Sequence, residues 1–449
     1  MRKAIQFELK TNNIQSIVLK ELTKATYKLW NIANYQRKQY KKDNSLPYPN
    51  WYYQKKVLKD TYWYKQLPSQ SAQEVLNILN QGWKSYFKLI KSLKINKLKN
   101  KPNSPKFKHS SFNIRFLNNS FRIKNNQLLL TLSKQFKLYL RDKYNINIKY
   151  LTIKVSKHCI NKLASGNIKL IEIIPLSNKY KVNMIIEFPE VNNKLKEVKS
   201  EHIYMSIDFG LNNLMTCYIS NGKTLILSGR QLLSINRYFD KKINYYQSIS
   251  DNQQSVRGIK YPKKSKRIKK LYEKGNKQIK HLIHSATKQI IEFAKLNKVD
   301  IIIIGDITNI RTDNNIGKIN NQKFHKLPFK IIENQIRYKA KENNIKIETQ
   351  EESYTSTCSP NSIEVNKEYA IKKNRKYRGL YKEDNKIYNA DCVGSYNILR
   401  KYLCRIGVKI YPAVVGLDSP TMYQWNTNRW INKLNINTSI VENRKLTYL

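Results

Sequence analysis

The stretch Ile203–Ser220, IYMSIDFGLNNLMTCYIS, decides the fold. Ile203, Met205 and Ile207 alternate with Tyr204 and Ser206, the two-residue period of a sheet. Asp208 stands where that strand leaves the core. Gly210 and Asn212-Asn213 supply turn geometry, and Leu214–Ile219 reads as a strand returning alongside. Thr224–Ser228 follows as a third strand after the hairpin dipeptide Asn221-Gly222. An acid at the tip of a buried strand suits a divalent cation, because hard cations take carboxylate oxygens. It equally suits the plain capping of a turn.

Downstream, Gln231–Asn297 reads as a long, basic helical region, most cationic at Tyr261–Lys270, YPKKSKRIKK. Its Lys263, Lys264, Lys266, Arg267, Lys269 and Lys270 are candidate nucleic-acid contacts. Ile279, Ile283, Ala286, Ile290 and Ala294 recur at helical spacing and predict a core-facing stripe. His281 and His284 lie on that helix without an acid or Cys partner, so packing or phosphate contact is expected rather than metal. Val299–Gly305, VDIIIIG, is a continuous apolar run ending at Asp306, the pattern of a central strand buried on both faces. A helix bearing Phe329, Ile332, Ile336 and Ala340 follows, then a strand at Ile345–Thr349 that ends in Glu351-Glu352. That order implies a right-handed parallel crossover. Asn389–Leu403, NADCVGSYNILRKYL, reads as a helix with Asp391 near its start. Gly394 and Ser395 are small enough to let it approach a sheet closely. From about Gly407 onward no motif is interpretable.

Acids therefore end three buried elements: Asp208, then Asp306 or Glu352, then Asp391. Gathered at one sheet edge they would repel unless cations neutralised them. Two divalent ions about 4 Å apart would clamp the attacking and leaving oxygens of a phosphodiester.

The rest of the chain points to a polyanion. Its 449 residues suit two or three domains, and 84 Lys plus Arg against 31 Asp plus Glu give a formal charge of +53. An AT-rich coding bias inflates Lys, Asn, Ile and Tyr but does not remove acids. Tyr is interleaved with Lys, as in Tyr52-Tyr53-Gln54-Lys55-Lys56, which suits base stacking beside phosphate contact. No apolar run approaches a membrane span, and MRKAIQFELK lacks a signal-peptide core. Five scattered Cys without a CxxC pair suggest a reducing compartment.

Residues 1–200 read as a nucleic-acid-facing half. A strand at Ala4–Leu9 precedes a helix with Val18, Leu22, Ala25, Leu29 and Ile32 on one side. Ser71 and Glu74 form a capping box for a helix carrying Val75, Leu79, Trp83, Phe87 and Ile90. Lys91–Lys108 reads as a solvated basic loop. Short alternating runs from Phe112 to Phe188 suggest a small β-barrel or sandwich, and 189–201 a linker.

The order of DFGLNN, IIIIGD, YTSTCS, RGLY and NADCVGSYNILRK resembles the RuvC-type nuclease domain of TnpB proteins, over about 203–403. Those are transposon-encoded, RNA-guided DNA endonucleases, similar to the type V CRISPR effectors. The resemblance implies an α/β RNase H-like (RuvC) domain at 199–405, with a basic helical hairpin at 231–297. Ahead of it would lie a wedge β-barrel (1–12 and 110–198) interrupted by a helical recognition insert (13–109). It implies Asp208 and Asp391 as the first and last catalytic carboxylates, holding Mg²⁺. The guide would be an RNA from the transposon end, and the target double-stranded DNA beside a short motif, with sequence choice by base pairing. Arg311 and Arg378 join the expected nucleic-acid contacts. A cytoplasmic, nucleoid-associated location without a membrane role follows.

Two departures stand out. Relatives carry Glu-Asp at the central strand tip, where this chain has Gly305-Asp306. Glu352 is the expected replacement carboxylate, with Asp306 the alternative; loss of both would leave an RNA-guided DNA-binding protein without nuclease activity, a repressor. Relatives also carry two CxxC pairs in a zinc ribbon. Here Cys358 is followed by Asn361, and Lys382-Glu383-Asp384-Asn385 replaces the second pair. With Cys358 and Cys392 too few for a structural zinc, none is expected; 358–388 becomes a degenerate ribbon-like insert, with Asn361–Lys386 basic and partly mobile. Residues 406–449 are left as a tail.

Overall fold

The computed structural model describes residues 2–40, 48–95, 100–163, 166–176, 179–188, 202–259, 262–306, 317–375, 377, 379–383, 385–408, 414–426 and 428–433. The chain divides into two compact units, Met1–Asn192 and Asn193–Leu449. The expected linker at 189–201 lies outside the described residues.

In the first unit β1 (Arg2–Leu9) leads to α1 (Asn13–Tyr40), α2 (Trp51–Val57), α3 (Tyr62–Lys65) and α4 (Ser69–Lys94). Then come β2 (Ile114–Leu117), β3 (Phe121–Lys124), β4 (Gln127–Thr131), α5 (Lys134–Tyr144), β5 (Tyr150–Lys154), α6 (Lys157–Leu163), β6 (Asn167–Pro175) and β7 (Tyr180–Glu187). The strands form two antiparallel sheets, β1-β7-β6-β2 and β3-β4-β5. A closed barrel is not formed among the described residues. The 3-10 turn Asn118–Ser120 ends β2, and β3 pairs within the second sheet instead.

Three local expectations are corrected here. α4 starts at Ser69 behind Pro68, so Ser71 and Glu74 lie inside it and form no capping box. Arg115 claims Glu74 Oε1 at 3.0 Å, and Asn77 donates to its Oε2 at 3.0 Å. Phe87 is 44% exposed; Leu76 and Tyr86 complete the buried face with Val75, Leu79 and Trp83. The basic segment before β2 is not loose: Asn34, Trp30 and Asn31 of α1 donate to the backbone carbonyls of Pro105, Lys106 and Lys108.

The second unit holds β8 (Tyr204–Phe209), β9 (Asn213–Ile219), β10 (Thr224–Ser228), α7 (Arg230–Val256), α8 (Lys266–Leu296), β11 (Ile301–Gly305), α9 (Lys318–His325), α10 (Phe329–Glu342) and β12 (Lys346–Gln350). β13 (Leu380–Glu383), β14 (Lys386–Asn389), α11 (Ala390–Arg405), β15 (Thr421–Asn426) and β16 (Arg429–Asn432) complete it. Seven strands form one sheet in the order β12-β11-β8-β9-β10-β15-β16. β8, β9 and β10 are antiparallel neighbours, while β11 runs parallel to both β8 and β12.

Alternation sorts the strands' side chains onto two faces. Met205, Ile207, Phe209, Ile302 and Ile304 pack under α8 and α10 with Ile283, Ile290, Ile332 and Ile336. Tyr204, Ile301 and Ile303 face the opposite layer, where α11 supplies Val393, Tyr396 and Leu399. Asp208 therefore points to the α11 side. One rung beyond the pair Ile304↔Ile207, Gly305 comes level with Asp208 on that same side.

Two further segments depart from expectation. The ribbon at 358–388 is built into the core, because Tyr381 and Tyr388 bury against α11. Its β13–β14 hairpin is tied to the knuckle after Cys358 by Asn361 Nδ2 donating to Glu383 Oε2 at 2.8 Å. The supposed tail adds β15 in parallel to β10, then β16. Trp425 and Trp430 pack edge to face there, with His281 against Trp425.

Candidate active site

Asp208 is the penultimate residue of β8. α11 comes down directly over it. Ser206 Oγ donates to the Ser395 carbonyl at 2.6 Å, and Ser395 Oγ to the Ser206 carbonyl at 3.2 Å, so helix and strand meet almost backbone to backbone. Gly394 permits this approach: a Cβ there would stand 2.9 Å from Asp208 Oδ2.

Gly305 makes the second vacancy, and Glu352 fills it. A Cβ on Gly305 would overlap the Glu352 carboxyl group and come within 2.8 Å of its Cγ. Glu352 lies two residues beyond Gln350, which pairs with Gly305 across β11 and β12. Its side chain thus folds back across the strand tip into the place a side chain at 305 would occupy. Its buried Oε1 has no hydrogen-bond partner. Asp306 follows the last residue of β11, is exposed, and gives its N–H to the Gln350 carbonyl at 2.8 Å. The geometry selects Glu352 over Asp306 as the neighbour of Asp208.

Asp391 sits in the first turn of α11, behind the Asn389 cap. Asn213 Nδ2 donates to its Oδ2 at 2.6 Å, and Arg375 Nη2 lies 3.8 Å from its Oδ1. Sequence reasoning missed both partners. Asn213 was visible only as a turn residue, and Arg375 lay among many cations.

The electrostatics tie the acids together. Burial, then Glu352, then Asp391 push the Asp208 carboxyl well above the usual carboxylate range; Arg375 and the Phe209 N–H oppose this. Burial, then Asp306 and Glu351, raise Glu352 to about 7. Desolvated carboxyls that repel one another retain protons until a cation replaces them. Among the described residues no three His, Cys, Asp or Glu side chains already form a chelating cluster. The donors nonetheless suit Mg²⁺: all are carboxylate oxygens, and the orphaned Glu352 Oε1 is an acceptor waiting for a partner.

Lys263, Lys264, Lys266, Arg267, Lys269 and Lys270 are exposed around the start of α8. Cations at a helix N-terminus oppose the helix dipole, an arrangement that an anionic partner relieves. Arg267 stacks on Tyr246 at 3.8 Å and Lys264 on Tyr272 at 4.3 Å. Arg311 and Arg378 lie outside the described residues. His284 packs beside α10, where burial and Lys339 lower its pKa, and Lys339 donates to its carbonyl at 2.7 Å. Cys358 is buried, its Sγ donating to the Asn366 carbonyl at 3.0 Å; Cys392 is buried in α11.

Comparisons with known proteins match this layout. The family described as a probable transposase, OrfB_IS605, matches residues 184–311, and the Cas12f1-like TNB domain matches 329–398. The TnpB-like protein ORF457 of Acidianus two-tailed virus is 25% identical over 415 residues, covering 87% of this chain and 84% of that protein. A cryo-EM structure of a Cas12f1–sgRNA–target DNA complex is 18% identical, with TM-score 0.55, over 86% of this chain and 83% of that one. That likeness establishes a Cas12-like fold with a RuvC domain. Two family matches that between them carry Asp208, Glu352 and Asp391, with a relative aligned along most of the chain, make this protein similar to the TnpB proteins.

Proposed function

We propose that this protein is an RNA-guided, metal-dependent DNA endonuclease that cuts beside a short transposon-associated motif. One observation carries the reading: the Glu352 carboxyl group occupies the space over Gly305, level with Asp208. A chain that had merely lost its strand-tip carboxylate would have no reason to bring another, desolvated and unpartnered, to the same place. The guide is an RNA from the transposon end, the target is double-stranded DNA, and the setting is the prokaryotic cytoplasm.

Asp208, Glu352 and Asp391 would hold Mg²⁺, which when bound polarises a phosphodiester and stabilises its attacking and leaving oxygens. The chain's own groups prepare that chemistry. Asn213 engages Asp391 Oδ2 and thereby turns the other oxygen toward Arg375. Burial and neighbouring carboxylates favour the protonated forms of Asp208 and Glu352, and a bound cation would favour their ionised forms instead. The cations at the start of α8 hold phosphates without reading sequence, which base pairing with the guide supplies.

The test is plasmid cleavage by the protein with its copurified RNA and Mg²⁺. Asp208→Ala, Glu352→Ala and Asp391→Ala should abolish cutting, and Asp306→Ala should not. Retained cutting with Asp208→Ala would remove this mechanism. Guided binding by the wild type without any cutting would establish the repressor instead.

A further inference from the structure

The loop that carries Glu352 is gripped from the helix that carries Asp391. Lys401 Nζ donates to Glu351 Oε2 at 2.5 Å and to the Ser353 carbonyl at 3.0 Å, so one cation holds the residues on both sides of Glu352. Glu351 Oε1 accepts from the Ser353 N–H at 2.6 Å and from the Ser353 hydroxyl, closing a small turn around Glu352. Upstream, Arg405 Nη2 donates to the Thr349 carbonyl at 3.3 Å. Downstream, Asn397 Nδ2 donates to the carbonyls of Thr355 at 2.8 Å and Cys358 at 2.9 Å. Asn397, Lys401 and Arg405 stand four apart, one row along α11, and the loop runs past them in the opposite direction.

That row answers a need created by Gly305. A glutamate reaching across from the next strand has three rotatable side-chain bonds and no Cβ at 305 to lean on. Its aim depends on how its backbone is held. We infer that Lys401 is a positioning residue for Glu352, fixing the carboxylate of the β12 exit loop relative to Asp391 on the same helix. The inference rests on the proposed catalytic role of Glu352. Lys401 is 22% exposed and Glu351 58%, so their ion pair adds little to folding and the two effects separate.

The experiment compares wild type, Lys401→Met, Lys401→Arg and Glu352→Gln. Mn²⁺ is titrated into the purified protein and free ion is followed by electron paramagnetic resonance. Plasmid cleavage by the copurified RNA complex is measured across a Mg²⁺ series, and melting is recorded. Lys401→Met should weaken Mn²⁺ binding on the order of 10-fold and raise the Mg²⁺ requirement similarly. Its melting temperature should stay within roughly 4 °C of wild type. Lys401→Arg should recover most of both. If Lys401→Met binds and cuts like wild type while Glu352→Gln does neither, the inference falls and the role of Glu352 stands. If Glu352→Gln itself binds and cuts normally, the nuclease reading of Glu352 falls first. A loss in Lys401→Met that tracks a collapse in melting and is not recovered by Arg assigns Lys401 to folding alone.

Discussion

Replacing Gly305 with alanine adds one methyl group where the Glu352 side chain crosses β11. That methyl would overlap the carboxyl group and stand 2.8 Å from Cγ, against about 3.5–4.0 Å for relaxed carbon contacts. Cγ must therefore retreat by more than about 0.6 Å and the carboxyl group by more than about 1 Å. A misplacement near 1 Å costs catalysis on the order of 100-fold. Stability should move the other way. Gly305 is not in the left-handed region, so alanine fits the strand and reduces backbone freedom in the unfolded chain, a gain of about 0.5–1 kcal/mol. The displaced group is the free end of a flexible side chain, so little of that gain is lost to strain. The assay pairs plasmid cleavage with thermal melting. The expected result is a protein slightly more stable than wild type that cuts about 100-fold more slowly. Wild-type cutting by Gly305→Ala would show that Glu352 does not work from over Gly305.

Other outcomes follow from the same geometry. Glu352 has a folded-state pKa raised to about 7. Its protonation favours the folded state fully below its ordinary value of 4.5, and that contribution disappears as pH rises through about 7. Without divalent cations the protein should lose about 2–3 kcal/mol between pH 5 and 8 from this group, judged by denaturant melts. Glu352→Gln should flatten the slope, and an unchanged slope would contradict the assignment. Asp306→Asn removes a charge that raises Glu352, so cutting should persist with its pH profile shifted toward lower pH. Replacing Lys266, Arg267, Lys269 and Lys270 with Ser should reduce the salt dependence of single-stranded RNA binding by about 3 in log–log slope. An unchanged slope would clear the start of α8 of phosphate contact. Asn213→Ala should slow cutting more than it lowers melting temperature, because it frees an Asp391 oxygen that is only part-buried.

Much of the second unit was legible in the chain because its signals are local. The short all-apolar, β-branched run at Ile301–Ile304 has the pattern of a strand covered on both faces, and the alternation before Asp208 sets which face that acid takes. Asp391 followed by Gly394 and Ser395 announced a helix docked tightly on a sheet, and Ser206 with Ser395 bears it out. The substitution of Glu352 for a residue at 305 was suggested by the resemblance to TnpB proteins, but its route over Gly305 depends on the pairing of β11 with β12. Other features had no local signature. Lys401 is one cation among 84 Lys and Arg, and only folding sets it beside Glu351 and Ser353. The strands β15 and β16 were not read from the sequence either, and nothing local says that they extend the sheet beside β10. In the first unit the capping-box pattern failed because α4 begins two residues earlier, behind Pro68, which leaves Glu74 inside the helix to pair with Arg115.

The central claim is that Asp208, Glu352 and Asp391 share cations. Anomalous diffraction from crystals soaked in Mn²⁺ tests it most directly. A peak bonded to carboxylate oxygens of Asp208 together with Glu352 or Asp391, about 2.0–2.2 Å away, is the predicted result. A peak held by Asp306 while Glu352 points elsewhere, or no peak among these three carboxylates at saturating Mn²⁺, would contradict the account.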